Sequence, residues 1–337
     1  MPTLNVDSDG SKDYSSIGAA LAAAQNGDLI RVYHSLVAYE ELVTVDVEVT
    51  IEGADDGFGL PTVSGEKPGP NRQYNFDIQA SNVVLRDLTC AAADDYGIFI
   101  GATSAVTYSS IRLQRLRIRD QATSNQGGVG VCATVSDVLV ENCVIYDNVG
   151  AGVGAQPSGG GTVDNVRVVN CTIFGNGFGG VICSGDGPTN VRVTNCILHD
   201  NGNYQLQIDS SSEATFHSDH NCLDRDTGPW TGYWGGQNWV SFTDWTGASG
   251  QDGNSVNADP LYTNETSRDL TLQAGSPAIQ AGTNSGAPAT DVDNRPRAGL
   301  NHIGAYHRAG QGALGAALNG RAVGGAEGGR ALGAAAN

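Results

Sequence analysis

Lysine, proline and long apolar runs are scarce in this sequence. Of 337 residues, two are lysine, Lys12 and Lys67, and 11 are proline. No apolar run approaches the roughly 20 residues of a membrane-spanning helix, so no membrane span is expected. The opening stretch MPTLNVDSDG has no basic and no apolar signal region, and we therefore expect no Sec-type export signal.

Positive charge is scarce as well. Lys and Arg total 18 against 36 Asp and Glu, which gives a net charge of −18. An acidic surface of this size repels phosphate backbones, so nucleic-acid binding is not expected. Asp outnumbers Glu by 27 to 9, and Arg outnumbers Lys by 16 to 2. This bias fits either a halophilic protein or a GC-rich genome, and the sequence leaves both readings open.

The seven cysteines lack the spacing of a metal site. An odd count leaves at least one unpaired, and no Cys-x-x-Cys or Cys/His cluster occurs. Several lie inside apolar strand patterns such as VVNCTI, which favours buried free thiols. No metal or other cofactor is predicted.

An internal repeat dominates the middle of the chain. Five segments superimpose, VVLRDLTC, IRLQRLRI, VLVENCVI, VRVVNCTI and VRVTNCIL, and FHSDHNCL is a looser sixth. They recur every 25–28 residues and alternate apolar with polar positions, as half-buried strands do. A second, usually Gly-led strand follows each one. The pattern predicts an all-β, parallel β-helix solenoid of about eight coils.

Two columns of equivalent residues follow from this alignment. Asn142, Asn170, Asn195 and Asn221 are predicted to stack on one inward edge, with Asp87 and Arg115 in their place in earlier coils. The following residues are predicted to form a column of buried, reduced thiols: Cys143, Cys171, Cys196 and Cys222. Stacked strands repeat at about 4.8 Å, close enough for such amides to hydrogen-bond.

The chain ends differ from the coils. An N-terminal helix is predicted after an N-cap at Ser15, with a stop near Asn26-Gly27. Strands are predicted at Leu29–Tyr33, Val43–Glu52, Asp269–Leu272 and Ile303–His307. The division expected is a cap at 1–27, coils at 28–227, a Trp-rich excursion at 228–256, a closing segment at 257–309 and a Gly/Ala-rich tail at 310–337.

DYSSIGAALAAAQNGDLIRV at the start and ADPLYTNETSRDLTLQAGSPAIQAG near the end resemble segments of the right-handed parallel β-helix superfamily that contains the pectate lyases. The similarity spans roughly residues 1–308. It implies the fold, but not one function, because this scaffold serves lyases, hydrolases, adhesins and viral spikes.

The sequence contains few of the catalytic residues that lyases and hydrolases of this fold need. A lyase of this fold needs Lys, Arg or calcium on an exposed strand face, and both lysines lie outside the coils. A glycosidase needs two nearby carboxylates, for which Asp94-Asp95, His199-Asp200 and the group His217, Asp219 and His220 are candidates. Asp7, Asp9 and Asp13 only partly resemble a calcium loop, because its position 12 is Gly18. No catalytic residue is assigned.

Glycan-binding and assembly residues are predicted instead. Stacking and ionic contacts with a glycan are assigned to Trp230, Tyr233, Trp234, Arg112 and Arg117. Tail contacts with neighbouring subunits, or with capsid or tail proteins, are assigned to Leu314, Leu318, Arg321 and Leu332. The tail is interpreted as an anchor, with a linker as the alternative.

Three functions remain open at this level. The favoured one is a non-enzymatic structural protein on a virion surface, a decoration or spike that binds host glycans and assembles as an oligomer. The second is a polysaccharide lyase or glycoside hydrolase acting on an acidic glycan. The third is an extracellular, cell-surface adhesin.

Overall fold

A computed structural model describes residues 2–65, 74–101, 105–122, 127–157, 159–224 and 229–307. These residues wind into a solenoid of three parallel sheets, A, B and C, and successive coils add one strand to each. The Gly/Ala-rich tail, with Leu314, Leu318, Arg321 and Leu332, lies outside the described residues. No helix among the described residues is long and apolar enough to cross a membrane.

Each sheet collects equivalent strands from successive coils. Sheet A contains β1 (Thr3–Val6), β2 (Asp28–Val32), β4 (Val49–Gly53), β7 (Val84–Arg86), β10 (Thr107–Gln114), β13 (Thr134–Glu141), β16 (Val163–Val169), β19 (Arg192–Thr194) and β22 (His217–Asp219). Sheet B contains β5 (Thr62–Ser64), β8 (Thr89–Ala91), β11 (Arg117–Arg119), β14 (Val144–Tyr146), β17 (Thr172–Phe174), β20 (Ile197–His199) and β23 (Cys222–Asp224).

Sheet C contains β3 (Val43–Val45), β6 (Tyr74–Ile78), β9 (Tyr96–Ile100), β12 (Val129–Val131), β15 (Ala151–Ala155), β18 (Gly179–Cys183), β21 (Tyr204–Ile208), β24 (Trp230–Trp234) and the antiparallel β25 (Gln237–Trp239). A separate hairpin pairs β26 (Tyr262–Asn264) with β27 (Asp269–Leu272). The single strand expected at Val43–Glu52 is therefore two strands, β3 and β4, in different sheets.

Alternation places one row of β-branched and aliphatic residues from each strand inside the solenoid. In β16 and β19, Val168 and Val193 are fully buried, whereas Arg167 and Arg192 on the same strands face outward. Because the strands pair in register, equivalent side chains stack coil upon coil. The core is thus one continuous column, as expected from the repeat.

The corner between sheets A and B corrects the predicted asparagine column. Its corner residues share a left-handed backbone, with φ of 50° to 58°: Asp87, Arg115, Asn142, Asn170, Asn195 and His220. His220 therefore replaces Asn221 in the column, because β23 begins one residue earlier than the alignment assumed. The side chains of Asn142, Asn170 and Asn195 are buried, and each donates to a carbonyl oxygen of the closing segment. One ladder bond of the predicted kind is present, from Asn195 Nδ2 to Asn170 Oδ1 at 3.2 Å.

The inward amide ladder lies at the next corner, between sheets B and C, and was not predicted. Asn148 Nδ2 donates to Asn176 Oδ1 at 2.8 Å, and Asn176 Nδ2 donates to Asn201 Oδ1 at 2.9 Å. Asn201 continues the chain to Gln205 Oε1 at 2.7 Å. All four residues are fully or almost fully buried. The signal was present in the sequence as the recurring Asn of YDN, FGN and HDN.

The thiol column holds three of the four predicted members. The backbone N–H of Cys143 donates to the sulfur of Cys171, and that of Cys171 donates to the sulfur of Cys196, both at 3.4 Å. In the next coil, the N–H of Cys196 donates to Asn221 Oδ1 at 2.8 Å. Cys222 is not in the column, because the one-residue register shift turns it outward, where its sulfur bonds the carbonyl of Ala258. None of the seven cysteines forms a disulfide.

Helices close both ends of the core. Helix α1 (Ile17–Ala23) begins at an N-cap on Ser16 rather than Ser15 and ends at an extended Ala24 before Gly27 is reached. Helix α2 (Phe242–Ser249) places the fully buried Trp245 over the last coil, with its Nε1 donating to Asp252 at 2.9 Å. A short 3-10 turn, Glu213–Thr215, precedes β22.

The closing segment lies across the outside of sheet B. Its Tyr262, Leu270 and Ile303 pack on outward residues of the coils, including Phe174 and Ile197. The expected strand at Ile303–His307 is absent, and residues 303–305 form bends. Their N–H groups donate to three separate partners, Ala278 O, Asn195 O and Thr172 Oγ1, rather than to one neighbouring strand. The later strands of sheet B are therefore covered, and sheets A and C present outer faces.

Candidate functional site

The outer face of sheet C carries two aromatic clusters. The first combines Tyr74, Tyr96 and Phe99 from β6 and β9, and the second combines Tyr204, Trp230 and Tyr233 from β21 and β24. Parallel pairing aligns Tyr74 with Tyr96 and Tyr204 with Trp230, so both clusters follow the same edge of the sheet. Four strand spacings, about 19 Å, separate β9 from β21.

The second cluster forms a partly exposed platform. Trp230 stacks on Tyr204 with ring centroids 5.3 Å apart, and Tyr233 meets Tyr204 edge to face at 5.9 Å. The Tyr204 hydroxyl bonds Asn238 Oδ1 at 3.0 Å, which fixes the tilt of that ring. Phe178 precedes Gly179, the residue that pairs with Tyr204 in the neighbouring strand. Its side chain is 37% exposed and extends the apolar surface.

The first cluster is packed more tightly. Tyr74 and Phe99 stack at 4.5 Å and are only partly buried, whereas Tyr96 is 5% exposed. Burial, with the negative charges of Asp95 and Asp77 nearby, raises the pKa of Tyr74 to about 12. Its hydroxyl therefore stays protonated and can donate a hydrogen bond at any ordinary pH.

A polar floor extends from the first cluster towards the second, on the coils that lie between them. The Tyr96 hydroxyl lies 3.3 Å from Gln156 Oε1, and Gln156 Nε2 donates to Ser184 Oγ at 3.1 Å. Gly130 and Gly154 make this possible, because a Cβ at either would come within 2.6 Å of the Tyr96 ring or the Gln156 side chain. The floor therefore offers amide and hydroxyl groups at the level of the sheet.

The five predicted glycan-binding residues do not meet in one place. Trp230 and Tyr233 lie together in the second cluster. Trp234 lies at the end of the core, where its ring packs edge-on against buried Trp245 at 6.0 Å. Arg112 is exposed on the outer face of sheet A.

Arg117 lies in a groove between the early coils and the closing segment. The groove has a volume of about 490 Å³, and its lining includes Asp55, Asp87 and Asp293. Arg117 Nη2 bonds Asp293 Oδ1 at 2.8 Å, and the adjoining Arg115 forms a two-bond pair with Asp87 at 2.7 Å. Asp87 holds the pKa of Arg115 above its ordinary value, so this guanidinium stays charged and is unsuited to act as a base.

Other candidate groups have local roles. The carboxylates of Asp7 and Asp9 accept backbone N–H bonds within their own turn, and Asp13 accepts from Asn5. Asp219 bonds the backbone and side chain of Asn254 at 2.8 Å. These contacts assign the carboxylates to turn and segment capping.

Sequence reasoning missed Tyr74, Tyr96, Phe99 and Tyr204. A signal existed in the sequence, because several sheet C strands begin with an aromatic residue: Tyr96 in β9, Tyr204 in β21 and Trp230 in β24. That these rings share one face follows from the parallel register, which the alignment alone did not fix.

Several known structures are similar to this chain at low sequence identity. A crystal structure titled pectate lyase Pel9A is 14% identical, with a TM-score of 0.52, and the match covers 91% of this chain and 97% of that one. A pectin methylesterase from Aspergillus niger is also 14% identical, with a TM-score of 0.48, over 82% of this chain and 92% of that one. An alginate lyase from Paenibacillus sp. is 13% identical, with a TM-score of 0.47, over 76% and 99%.

No curated protein sequence matches the chain. A family model described as the right-handed β-helix region matches residues 62–244, more than half of the chain and most of the coils. This match and the three parallel sheets confirm the predicted all-β solenoid and its resemblance to the pectate lyases. The chain therefore belongs to the right-handed parallel β-helix family.

Proposed function

We propose that the protein binds an uncharged glycan along the outer face of sheet C and does not cleave it. One observation carries the proposal: two aromatic clusters share an edge of this face, with a hydrogen-bonding floor between them. Aromatic rings pack well against the apolar C–H faces of sugars. The amide and hydroxyl groups of Gln156 and Ser184 suit sugar hydroxyls.

Charge favours a neutral ligand. The described strands of sheet C contain no arginine or lysine, while Asp77 and Asp209 lie on or beside its outer face. A uronic-acid polymer would meet these carboxylates without a compensating cation. Arg112 and Arg117, which were expected to bind an acidic glycan, lie on other surfaces.

Binding is tested by affinity electrophoresis with neutral polysaccharides, such as galactomannan and xyloglucan, beside pectate and alginate. A stacked ring contributes on the order of 1 kcal/mol, so the Tyr204→Ala, Trp230→Ala double variant should lose about tenfold or more in affinity. Phe58→Ala is the matched control, because Phe58 is a 79% exposed aromatic residue in an early-coil loop. Equal retardation of all three proteins, or a preference for pectate, would contradict the proposal.

A glycan-cleaving enzyme is the second candidate, and Asp77 supports it. Burial raises the pKa of Asp77, as expected of a general acid. Its Oδ1 is buried without a hydrogen-bond partner among the described residues. Asp95, near the same Tyr74, supplies a second carboxylate. A carboxyl group of raised pKa, with a second carboxyl group beside the same sugar-compatible surface, supplies the elements of glycoside hydrolysis.

One assay distinguishes glycan binding from glycan cleavage. Neutral and acidic polysaccharides are incubated with the protein, with and without calcium, and reducing ends and unsaturated products are measured. Binding alone predicts neither product. New reducing ends that disappear in Asp77→Asn but persist in Asp209→Asn would establish the hydrolase, and unsaturated products would establish a lyase.

Location and assembly complete the proposal. The protein is proposed to present this face on a virion surface, or on a cell surface as an adhesin, as a homo-oligomer or bound to capsid or tail proteins through residues 310–337. The support is the composition of that tail and the sugar-compatible face of sheet C. Deleting residues 310–337 should leave a folded protein that binds glycan but no longer joins its assembly; normal incorporation would exclude an anchoring role.

A further inference from the structure

A buried histidine lies among carboxylates beneath the closing segment, away from sheet C. His199, the last residue of β20, points outward from sheet B and is enclosed by the rings of Phe174 and Tyr262, at 5.6 Å and 5.7 Å. It is fully buried, although it lies on the outer side of its strand. The closing segment, not the core, covers it.

Carboxylates face both ring nitrogens of His199. Glu265 Oε1 lies 3.9 Å from Nδ1, and Asp224 Oδ2 lies 3.8 Å from Nε2. Asp259 adds a third carboxylate, and single ligand atoms of His199, Asp259 and Glu265 all lie within 4.8 Å of one another. The N–H of Leu261 donates to Asp259 Oδ1 at 2.7 Å and so orients that carboxylate.

We propose that His199, Asp259 and Glu265 bind one divalent transition-metal ion, with Zn²⁺ as the natural probe. Imidazole and carboxylate ligands lie about 2.0–2.2 Å from zinc, so two such ligands are up to about 4.3 Å apart. The 3.9 Å separation between Nδ1 and Glu265 Oε1 falls in this range.

The donor set selects the class of ion. Calcium and magnesium take oxygen ligands, whereas imidazole suits zinc and its transition-metal neighbours. Asp224 Oδ2 lies 3.8 Å from the opposite nitrogen, and a shift of a few tenths of an ångström on metal binding would make it the outer carboxylate that orients the histidine. The adjacent cation, Arg268, forms a two-bond pair with Asp147 at 2.6 Å and 2.9 Å.

Such an ion would join two parts of the chain. His199 belongs to the coils, whereas Asp259 and Glu265 flank β26 in the closing segment. Bound metal would therefore tie this segment to sheet B, and its removal should loosen the hairpin of β26 and β27 before the solenoid unfolds.

The test uses the full chain after treatment with a chelator. Zn²⁺ is titrated in competition with a chromophoric chelator, and the melting temperature is recorded with and without Zn²⁺. We expect one equivalent bound, a higher melting temperature, and at least a tenfold loss of affinity in Asp259→Asn and in Glu265→Gln. The Asp259 side chain is exposed and the Glu265 side chain is partly exposed, so both variants should fold.

A matched control distinguishes this site from adventitious histidine binding. His220 and Asp219 form another histidine–carboxylate pair, with Nδ1 3.2 Å from Oδ2, so His220→Gln should retain full affinity. Co²⁺ should give visible absorption bands that Glu265→Gln weakens and His220→Gln does not. Absence of stoichiometric binding, or binding unchanged in both carboxylate variants, would overturn the proposal.

Discussion

Arg297 Nη2 donates a hydrogen bond to Asn142 Oδ1 at 2.7 Å and joins the closing segment to a coil corner 155 positions earlier in the chain. The same guanidinium donates to the carbonyl oxygens of Thr290, Gly304 and Ala305. Burial lowers the pKa of Arg297 to about 10, which still leaves it charged at neutral pH. One cation thus satisfies the polar groups of the corner and of the segment that covers it.

Arg297→Leu should destabilise the protein by about 3 kcal/mol, because several buried oxygen atoms would lose a charged donor. Urea unfolding measures the change. Arg295→Leu is the control: Arg295 is 57% exposed and pairs with Asp293 at 3.3 Å, so less than about 1 kcal/mol should be lost. Equal losses in the two variants would mean that Arg297 does not clamp the segment.

Asn176→Ala should break the inward amide ladder at its middle. The backbone N–H of Asn148 would lose its acceptor, its side-chain amide would keep only the carbonyl of Ile118, and the carbonyl of Ile145 would lose the Asn176 amide. The N–H of Asn176 would keep Asn201 as its partner. Unsatisfied buried amides cost about 1–3 kcal/mol each, so a loss of roughly 3 kcal/mol in unfolding free energy is expected. Asn203→Ala, at a partly exposed position, should change stability by less than about 0.5 kcal/mol.

The column cysteines should resist alkylation in the native protein. Burial raises the pKa of Cys143 and Cys171 far above the ordinary value, so neither forms the reactive thiolate. Cys132 is less buried, and its pKa is raised to about 11, so slow labelling is expected there first. Mass spectrometry after iodoacetamide treatment at pH 8 checks this order, and early labelling of Cys171 would contradict the buried column.

Acid should loosen the closing segment. The tilted rings of His302 and His307 pack with their centroids 4.2 Å apart, and each accepts a backbone N–H bond, so both rings are neutral. Burial, with His307 and Arg297 nearby, lowers the pKa of His302 from 6.5 to about 4. The unfolded chain therefore binds the proton more readily, and stability is lost as pH falls from about 6.5 towards 4.

After discounting for solvent screening, this contribution is roughly 1–2 kcal/mol, or a few degrees in melting temperature. The decrease between pH 7 and pH 4.5 should be smaller in His302→Gln than in the wild type. His217→Gln, which alters an exposed ring on sheet A, should keep the wild-type decrease. If His302→Gln also keeps it, another group controls the acid response.

The sequence by itself determined the coil period, the parallel solenoid and most of the thiol column. These follow from local alternation and from the 25–28 residue spacing, because each coil must bury the same positions as its neighbours. The left-handed corners at Asp87 and Arg115 were also placed correctly. Such features depend on residues close in the chain and on a repeat that recurs several times.

Tertiary structure alone decided what lies against each corner and face. His220 rather than Asn221 occupies the corner, because β23 pairs with β20 one residue away from the register that the sequence alignment assumed. The last repeat, FHSDHNCL, is too divergent for its sequence to fix that register. Asn142 and Asn148 are both buried and only six positions apart. One bonds the closing segment and the other forms the ladder, because residues more than 100 positions away cover the first corner. The same long-range packing buries His199 and leaves the face of sheet C as the proposed glycan surface.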